Sequence, residues 1–267
     1  MSNLPTDHTI APSQSRVSLV VLVGILAGFL SGLFGVGGGI LIVPGLVLVA
    51  SIDQRIAHGT SLAAVLPIAS SSLVTYWAHD HIDWPVVLFL AIGAVAGAVL
   101  GTKLLQVLPH RTLGVAFAVM LLASAARLFV ADSGTGRDDL DVLMVLLLIA
   151  LGLLTGILAG LLGVGGGVIL VPAMMMLFGI PPVIAKGTSL GVIIPTSIMG
   201  TWRNRTKKNV DFRAAAIVGI AGVLAAIVGG TMSARMSDTL SNVLFAILLT
   251  VVAIRLLRQI SREAKQK

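Results

Sequence analysis

Laid over itself at an offset of 128 residues, the chain repeats. Gly24–Leu48 reads GILAGFLSGLFGVGGGILIVPGLVL and Gly152–Met176 reads GLLTGILAGLLGVGGGVILVPAMMM, with 13 of these 25 positions identical. The register then continues without a gap. His58-Gly-Thr-Ser-Leu62 meets Lys186-Gly-Thr-Ser-Leu190, Pro67 meets Pro195, Asp83 meets Asp211, and Gly101 meets Gly229. Such a string marks a duplication, so any fold open to this chain must be built twice.

The solvent for that fold follows from polarity. Hydrophobic residues make up 57% of the chain, charged residues 11%, and the mean hydropathy is +1.04. A soluble domain carries about a quarter charged residues. A core in water could not hide this much apolar surface, whereas a bilayer lets the outer faces be apolar too. The chain has no cysteine, which excludes disulfides and thiolate metal sites. Its net charge of +7 comes from lysines and arginines gathered in a few loops and at the C-terminus. That distribution fits membrane orientation, and nucleic-acid binding is not expected.

Each half shows the same series of apolar runs. Repeat one has them near 17–34, 40–51, 60–78, 86–107 and 111–131. Repeat two has them near 140–162, 168–178, 186–202, 213–235 and 238–258. Four runs per half approach the length of ~20 residues that a spanning helix needs. The 40–51 and 168–178 runs are too short and read as half-helices after a break. The expected fold is therefore an all-α polytopic membrane protein of two repeats. Residues 1–16 form a disordered tail with no basic signal region, 17–131 repeat one, 132–139 a linker, 140–258 repeat two, and 259–267 a basic tail.

Arg203-Asn-Arg-Thr-Lys-Lys208 is the strongest positive cluster, and Arg258, Arg262, Lys265 and Lys267 follow it on the same side. Both should face the cytoplasm. The equivalent loop of repeat one, Ala78–Asp83, has no lysine or arginine, so it should face outward. Equivalent loops on opposite faces require an odd number of crossings per repeat, hence inverted topology. Five crossings satisfy every loop if the short run counts as one. The expected location is the inner (plasma) membrane, with both termini cytoplasmic.

The chemistry concentrates at two doubled motifs. Gly35-Val-Gly-Gly-Gly39 and Gly163-Val-Gly-Gly-Gly167 each lie between an apolar helix and a half-helix. The candidate residues are Gly35, Gly37, Gly38, Gly39, Gly163, Gly165, Gly166 and Gly167. Irregular backbone at membrane depth must line protein or a water-filled cavity, and a half-helix that starts there offers unpaired N–H groups and a positive dipole end. An anion suits such a place. The competing reading is that these glycines only permit a sharp break and tight packing. A dinucleotide fingerprint fails for want of a strand–helix context.

The second motif supplies His58, Gly59, Thr60 and Ser61, with Lys186, Gly187, Thr188 and Ser189. Threonine and serine here read as helix N-caps whose hydroxyls can also donate to an anion. Lys186 and His58 either offer positive charge to a substrate or snorkel to the two interfaces. Pro67 and Pro195 read as kinks. Glycines four apart (Gly24, Gly28, Gly32; Gly152, Gly156, Gly160; Gly93, Gly97, Gly101) read as packing stripes. Tyr76, Trp77, Trp84, Trp202 and Phe212 read as interfacial belts, and Asp83 and Asp211 as N-caps. No acidic residue lies deep in a span, and neither a Walker motif nor a nucleophile or metal set appears. No enzyme, cofactor or metal is therefore expected.

The doubled G-x-F/L-G-V-G-G-G-x-x-x-V-P element, each copy followed by (H/K)-G-T-S-L, resembles the sulfite exporter TauE/SafE family, also called the toluene sulfonate uptake permease group. The resemblance runs from Gly24 to the last helix. It implies an inner-membrane carrier of sulfur-containing anions such as sulfite and sulfonates, with the glycine breaks and Gly-Thr-Ser triplets as the pattern elements. The expected function is thus a secondary transporter, in the export direction, of a small anion. An anion channel or a carrier of a non-sulfur anion remains the alternative. The expected partners are a small anionic substrate and the lipid bilayer, with assembly into a homo-oligomer left open.

Overall fold

A computed structural model describes residues 14–104, scattered positions between 115 and 126, 140–163 and 165–265. Among the described residues every regular element is a helix. Repeat one contributes α1 (Gln14–Phe34), α2 (Gly39–Ala50), α3 (Gln54–Trp77) and α4 (Trp84–Leu104). Repeat two contributes α5 (Val142–Leu162), α6 (Gly167–Phe178), α7 (Pro182–Thr206), α8 (Phe212–Arg235) and α9 (Asp238–Lys265). All but α2 and α6 are long and apolar enough to cross a bilayer, giving seven such helices among the described residues. Side chains such as Ile220 and Leu224 are more than 70% exposed. An apolar outer face of this kind suits hydrocarbon and not water. The expected 111–131 run falls largely outside the described residues, and the positions described within it are helical.

Local signals fix the helix starts. Asp53, Asp83, Asp141 and Asp211 each accept a backbone N–H from the first turn that follows, from Arg55, Val86, Met144 and Ala214 respectively. The capping expected of Asp83 and Asp211 is therefore present. Four boundaries differ from the sequence reading. α1 starts at Gln14, and α9 carries its helix through the basic tail to Lys265. α3 and α7 begin at Gln54 and Pro182, so His58–Ser61 and Lys186–Ser189 lie inside helices. The N-caps are Asp53 and Pro181, and Thr60, Ser61, Thr188 and Ser189 cap nothing.

Glycine contacts give the helix directions. A Cβ added at Gly24, Gly28 or Gly32 of α1 would meet Val218, Gly222 and Ala226 of α8 in turn, so these helices run parallel. At Gly28 it would stand 2.1 Å from the Gly222 carbonyl oxygen. The same contact recurs 128 residues on: Gly152, Gly156 and Gly160 of α5 face Leu90, Ala94 and Ala98 of α4. The small-residue stripes are thus the seams of two helix pairs that join the first helix of one repeat to the fourth of the other. α3 also runs parallel to α8, because Gly219 meets Pro67, Gly222 meets Ile68 and Gly230 meets Thr75. α3 and α7 run antiparallel. Gly59, near the start of α3, meets Asn204 and Asn209 at the end of α7, and Gly187, near the start of α7, meets Tyr76 and His81 at the end of α3.

The short helices fold back. Gly38 lies against Ala27 of α1 and Gly45 against Val23, so α2 descends alongside α1 towards its start. Gly166 lies against Ala159 and Thr155 in the equivalent way. Since α1 and α3 both run parallel to α8, α2 returns the chain between them. Its 12 residues rise only about 18 Å, and the glycine-rich stretch covers the remaining depth.

Candidate functional site

Gly35, Gly37 and Gly38 have φ of 68°, 76° and 75°, and Gly163, Gly165 and Gly166 have φ of 65°, 79° and 80°. Side chains beyond glycine adopt this left-handed region at a cost, which is why the motif is written in glycine twice. Gly35 still donates to the Ser31 carbonyl at 2.8 Å, as Gly163 does to Ala159. The chain then leaves the helix and restarts at Gly39 and Gly167. The caps, Gly38 and Gly166, make no side-chain hydrogen bond to the new helices. The first backbone bonds of each new helix are made by Leu41 and Ile42, and by Ile169 and Leu170. The leading N–H groups of α2 and α6, at Gly39–Ile40 and Gly167–Val168, therefore point out of the helix ends.

The two breaks meet. A Cβ at Gly167 would lie 2.8 Å from the Gly35 carbonyl oxygen and 2.9 Å from Val36 Cα. Gly37 and Gly165 both sit against Val65 of α3 and Ile193 of α7, a pair separated by the same 128 residues. α2 and α6 thus start at the level where α3 and α7 cross, and each leads away from it. Two positive dipole ends are brought into one buried region, a charge distribution that favours an anion. All eight break glycines are buried.

The Gly-Thr-Ser elements divide between two duties. Gly59 and Gly187 are where the turn of the other repeat docks: a Cβ at either would come within 2.1 Å of the Asn209 or His81 carbonyl oxygen. Thr60 Oγ1 accepts the Asp211 N–H at 2.9 Å and Thr188 Oγ1 accepts the Asp83 N–H at 3.0 Å. These four residues hold one repeat to the other. Ser189 faces the first break. Ser189 Oγ donates to the Gly35 carbonyl and lies 3.1 Å from the Lys186 carbonyl. Ser61, its equivalent, is fully buried, and no partner for its hydroxyl occurs among the described residues. The Ser31 and Ser197 hydroxyls are in the same state. Buried hydroxyls without a protein partner are places where water or a ligand completes the bonding. Most other hydroxyls of α3 and α7, including Ser72, Thr75 and Thr196, are bonded to their own helix carbonyls.

Lys186 and His58 flank the breaks by their backbones, Lys186 against Gly35 and His58 against Gly163. Lys186 is completely buried. Its ammonium donates to Ser241 and reaches Ser233 Oγ at 3.4 Å. His58 is half-buried. Tyr76 is no belt residue: it is 2% exposed and donates to the Gly32 carbonyl at 2.9 Å. Trp77 and Trp84 are exposed and pack edge to face at 5.7 Å. Ser233 and Ser241 carried no signal in the sequence, since they fall in the polar stretch 231–242 where one apolar run ends and the next begins.

Seven apolar spans among the described residues, set around two interior helix breaks, define a polytopic membrane protein. The chain belongs to the sulfite exporter TauE/SafE family, whose sequence model matches it twice, over residues 19–148 and 147–267. It is 30% identical over 265 residues to the probable membrane transporter protein YunE of Bacillus subtilis, covering 90% of this chain and 95% of that one. A probable membrane transporter protein of Xylella fastidiosa is 29% identical over 246 residues, covering 89% and 94%. YjnA of Bacillus subtilis, described in the same words, is 26% identical over 253 residues, covering 89% and 98%.

Proposed function

We propose that this chain is a secondary transporter that exports small anions of the sulfite or organosulfonate type across the inner membrane. In this reading 17–131 and 140–258 are inverted repeats, both termini are cytoplasmic, and the anion binds where the two glycine breaks meet. The observation that carries the proposal is the contact of Gly167 with the Gly35 carbonyl, under the shared cover of Val65 and Ile193. Broken half-helices that start at one buried point are the usual form of a transporter site.

Inversion is supported by the antiparallel course of α3 and α7 and by contacts that recur crosswise at an offset of 128. Orientation is supported by exposed Arg205, Lys207 and Lys208 at the end of α7, against His79 and Asp80 at the end of α3. The leading N–H groups of both half-helices, with the Ser61 and Ser197 hydroxyls, would hold the anion. Rocking of one repeat on the other would open the site to each side in turn. An inside-negative potential drives export by about 2.3 kcal/mol per charge per 100 mV.

The test is flux from proteoliposomes loaded with sulfite, methanesulfonate or chloride. Saturable efflux with counterflow is the expected result. Flux linear in concentration and without counterflow would make the protein a channel, and no flux of any anion would end the proposal.

A further inference from the structure

Among the described residues, the hydroxyls of Ser31, Ser61, Ser197 and Thr201 are buried without a bonding partner. Ser31 belongs to α1 and sits at the first break, where its carbonyl accepts the Gly35 N–H. The other three lie on α3 and α7 in a definite relation to both breaks. Val65 of α3 and Ile193 of α7 each pack on Gly37 and Gly165. Residues four apart on a helix share a face. Ser61 therefore stands one turn before Val65, and Ser197 and Thr201 stand one and two turns after Ile193. Because α3 and α7 run antiparallel, all three fall on one side of the breaks, towards the start of α3 and the end of α7. In the same stretch Leu62 fits on Gly200, where a Cβ would come within 2.7 Å of it, so the two helix segments are held together there. Ser61 and Ser197 are fully buried.

The opposite side is built differently. One turn from Val65 and Ile193 in that direction stand Ala69 on α3 and Ser189 on α7, and Leu73 is the counterpart of Thr201 at the offset of 128. Ala69 and Leu73 have no polar side-chain atom, and Ser189 is already bonded to the Gly35 carbonyl. That bond also shows that this face of α7 reaches a break. The half-helices follow the same division. Gly163 ends α5 against the His58 backbone, near the start of α3, and Gly166 lies against Ala159 and Thr155. Hence α6 returns along α5, away from the start of α3. Its leading N–H groups at Gly167 and Val168, with the positive end of its dipole, face the side that holds the three hydroxyls.

We propose that Ser61, Ser197 and Thr201, with the leading N–H groups of α6, form an anion station on the α7-end side of the breaks, which takes the oxygens of a small oxyanion such as a sulfonate. The station rests on the transporter reading above and names the side on which the anion is held. A buried hydroxyl is costly until something bonds it. An oxyanion has several acceptor oxygens, so it can receive a proton from each hydroxyl and from the N–H groups together. Thr201 lies about 12 Å along the helix from Ile193, so the hydroxyls lead from the breaks towards the exposed Arg205 and Lys207. Their positive charge raises the local concentration of anions at that end. The matching places on the other side offer no free hydroxyl.

Single cysteines in the full chain, which has none of its own, report on the station in proteoliposomes. Ser61→Cys, Ser197→Cys and Thr201→Cys are exposed to the anionic thiol reagent sulfonatoethyl methanethiosulfonate from either face, with Lys207→Cys marking the α7-end face. All three are expected to react from the face that labels Lys207→Cys, and much faster than Ala69→Cys and Leu73→Cys do from either face. Methanesulfonate should slow the three severalfold. In transport, Ser197→Ala and Thr201→Val should raise the KM for methanesulfonate about tenfold, and the hydroxyl-retaining Thr201→Ser should keep it. Should a cysteine variant fail to insert, the KM of Ser197→Ala and Thr201→Val decides. Where the wild type carries methanesulfonate, the station alone is overturned by any of three results. These are labelling no faster than at Ala69→Cys and Leu73→Cys, labelling that methanesulfonate leaves unchanged, or an unaltered KM in both Ser197→Ala and Thr201→Val. A wild type that carries no anion defeats the transporter reading and the station with it.

Discussion

Gly167, the first residue of α6, packs on the carbonyl oxygen of Gly35, where a Cβ would stand 2.8 Å away. The added carbon of Gly167→Ala would also press within 2.7 Å of Ile193 Cδ1, so the substitution must drive the two breaks apart. Gly166→Ala is different in kind. Its Cβ has room, at 3.5 Å from the nearest atoms, but its φ of 80° costs an alanine about 1–2 kcal/mol. Both variants are expected to insert with helix content intact. Anion flux in vesicles should vanish in Gly167→Ala and drop severalfold in Gly166→Ala.

The helix seams make a separate prediction about stability. Gly28 and Gly160 occupy similar stripes, but an added Cβ would come within 2.1 Å of a carbonyl at Gly28 and only 3.1 Å at Gly160. Gly28→Ala should lower stability by about 1–3 kcal/mol or more through overpacking. Gly160→Ala should cost clearly less. Thermal unfolding of the purified variants in one detergent ranks them directly.

Thr60 and Thr188 make matching bonds to the N–H groups of Asp211 and Asp83. Thr60→Val and Thr188→Val each remove one acceptor and leave a backbone N–H unpaired, at about 1–3 kcal/mol. The two losses should be similar in size and should add in the double variant, since the sites lie at opposite ends of α3. Unfolding midpoints of the three variants check this.

Topology can be tested cleanly because the chain has no native cysteine. Asp80→Cys and Lys207→Cys stand at exposed turns after α3 and α7. In intact cells a membrane-impermeant maleimide should label Asp80→Cys and spare Lys207→Cys until the membrane is opened. Labelling of both from one side would contradict inverted repeats.

Much of this was legible from residues alone. The glycine pairs dictated the breaks because other residues adopt those φ values only at a cost, and the stripes at intervals of four dictated the seams. The starts of α3 and α7 were hidden. Gln54-Arg55 ahead of α3 reads as loop by polarity, yet Asp53 caps it into helix, so Thr60 and Ser61 looked like caps from a turn too late. Tyr76 was read as an interfacial residue, and Lys186 was left open between the interface and the site, because amphipathic side chains usually lie at the interface. Their burial depends on Ser233, Ser241 and Gly32, partners from distant helices that periodicity within one helix cannot disclose.

The central claim is that an anion occupies the point where α2 and α6 begin. Ile193 covers both breaks, so an Ile193→Cys protein in proteoliposomes reports on that point through its rate of modification by N-ethylmaleimide. A saturating concentration of an anion that the vesicles carry is expected to slow labelling severalfold, while an anion they do not carry leaves it unchanged. Equal labelling rates with and without the carried anion would contradict the account.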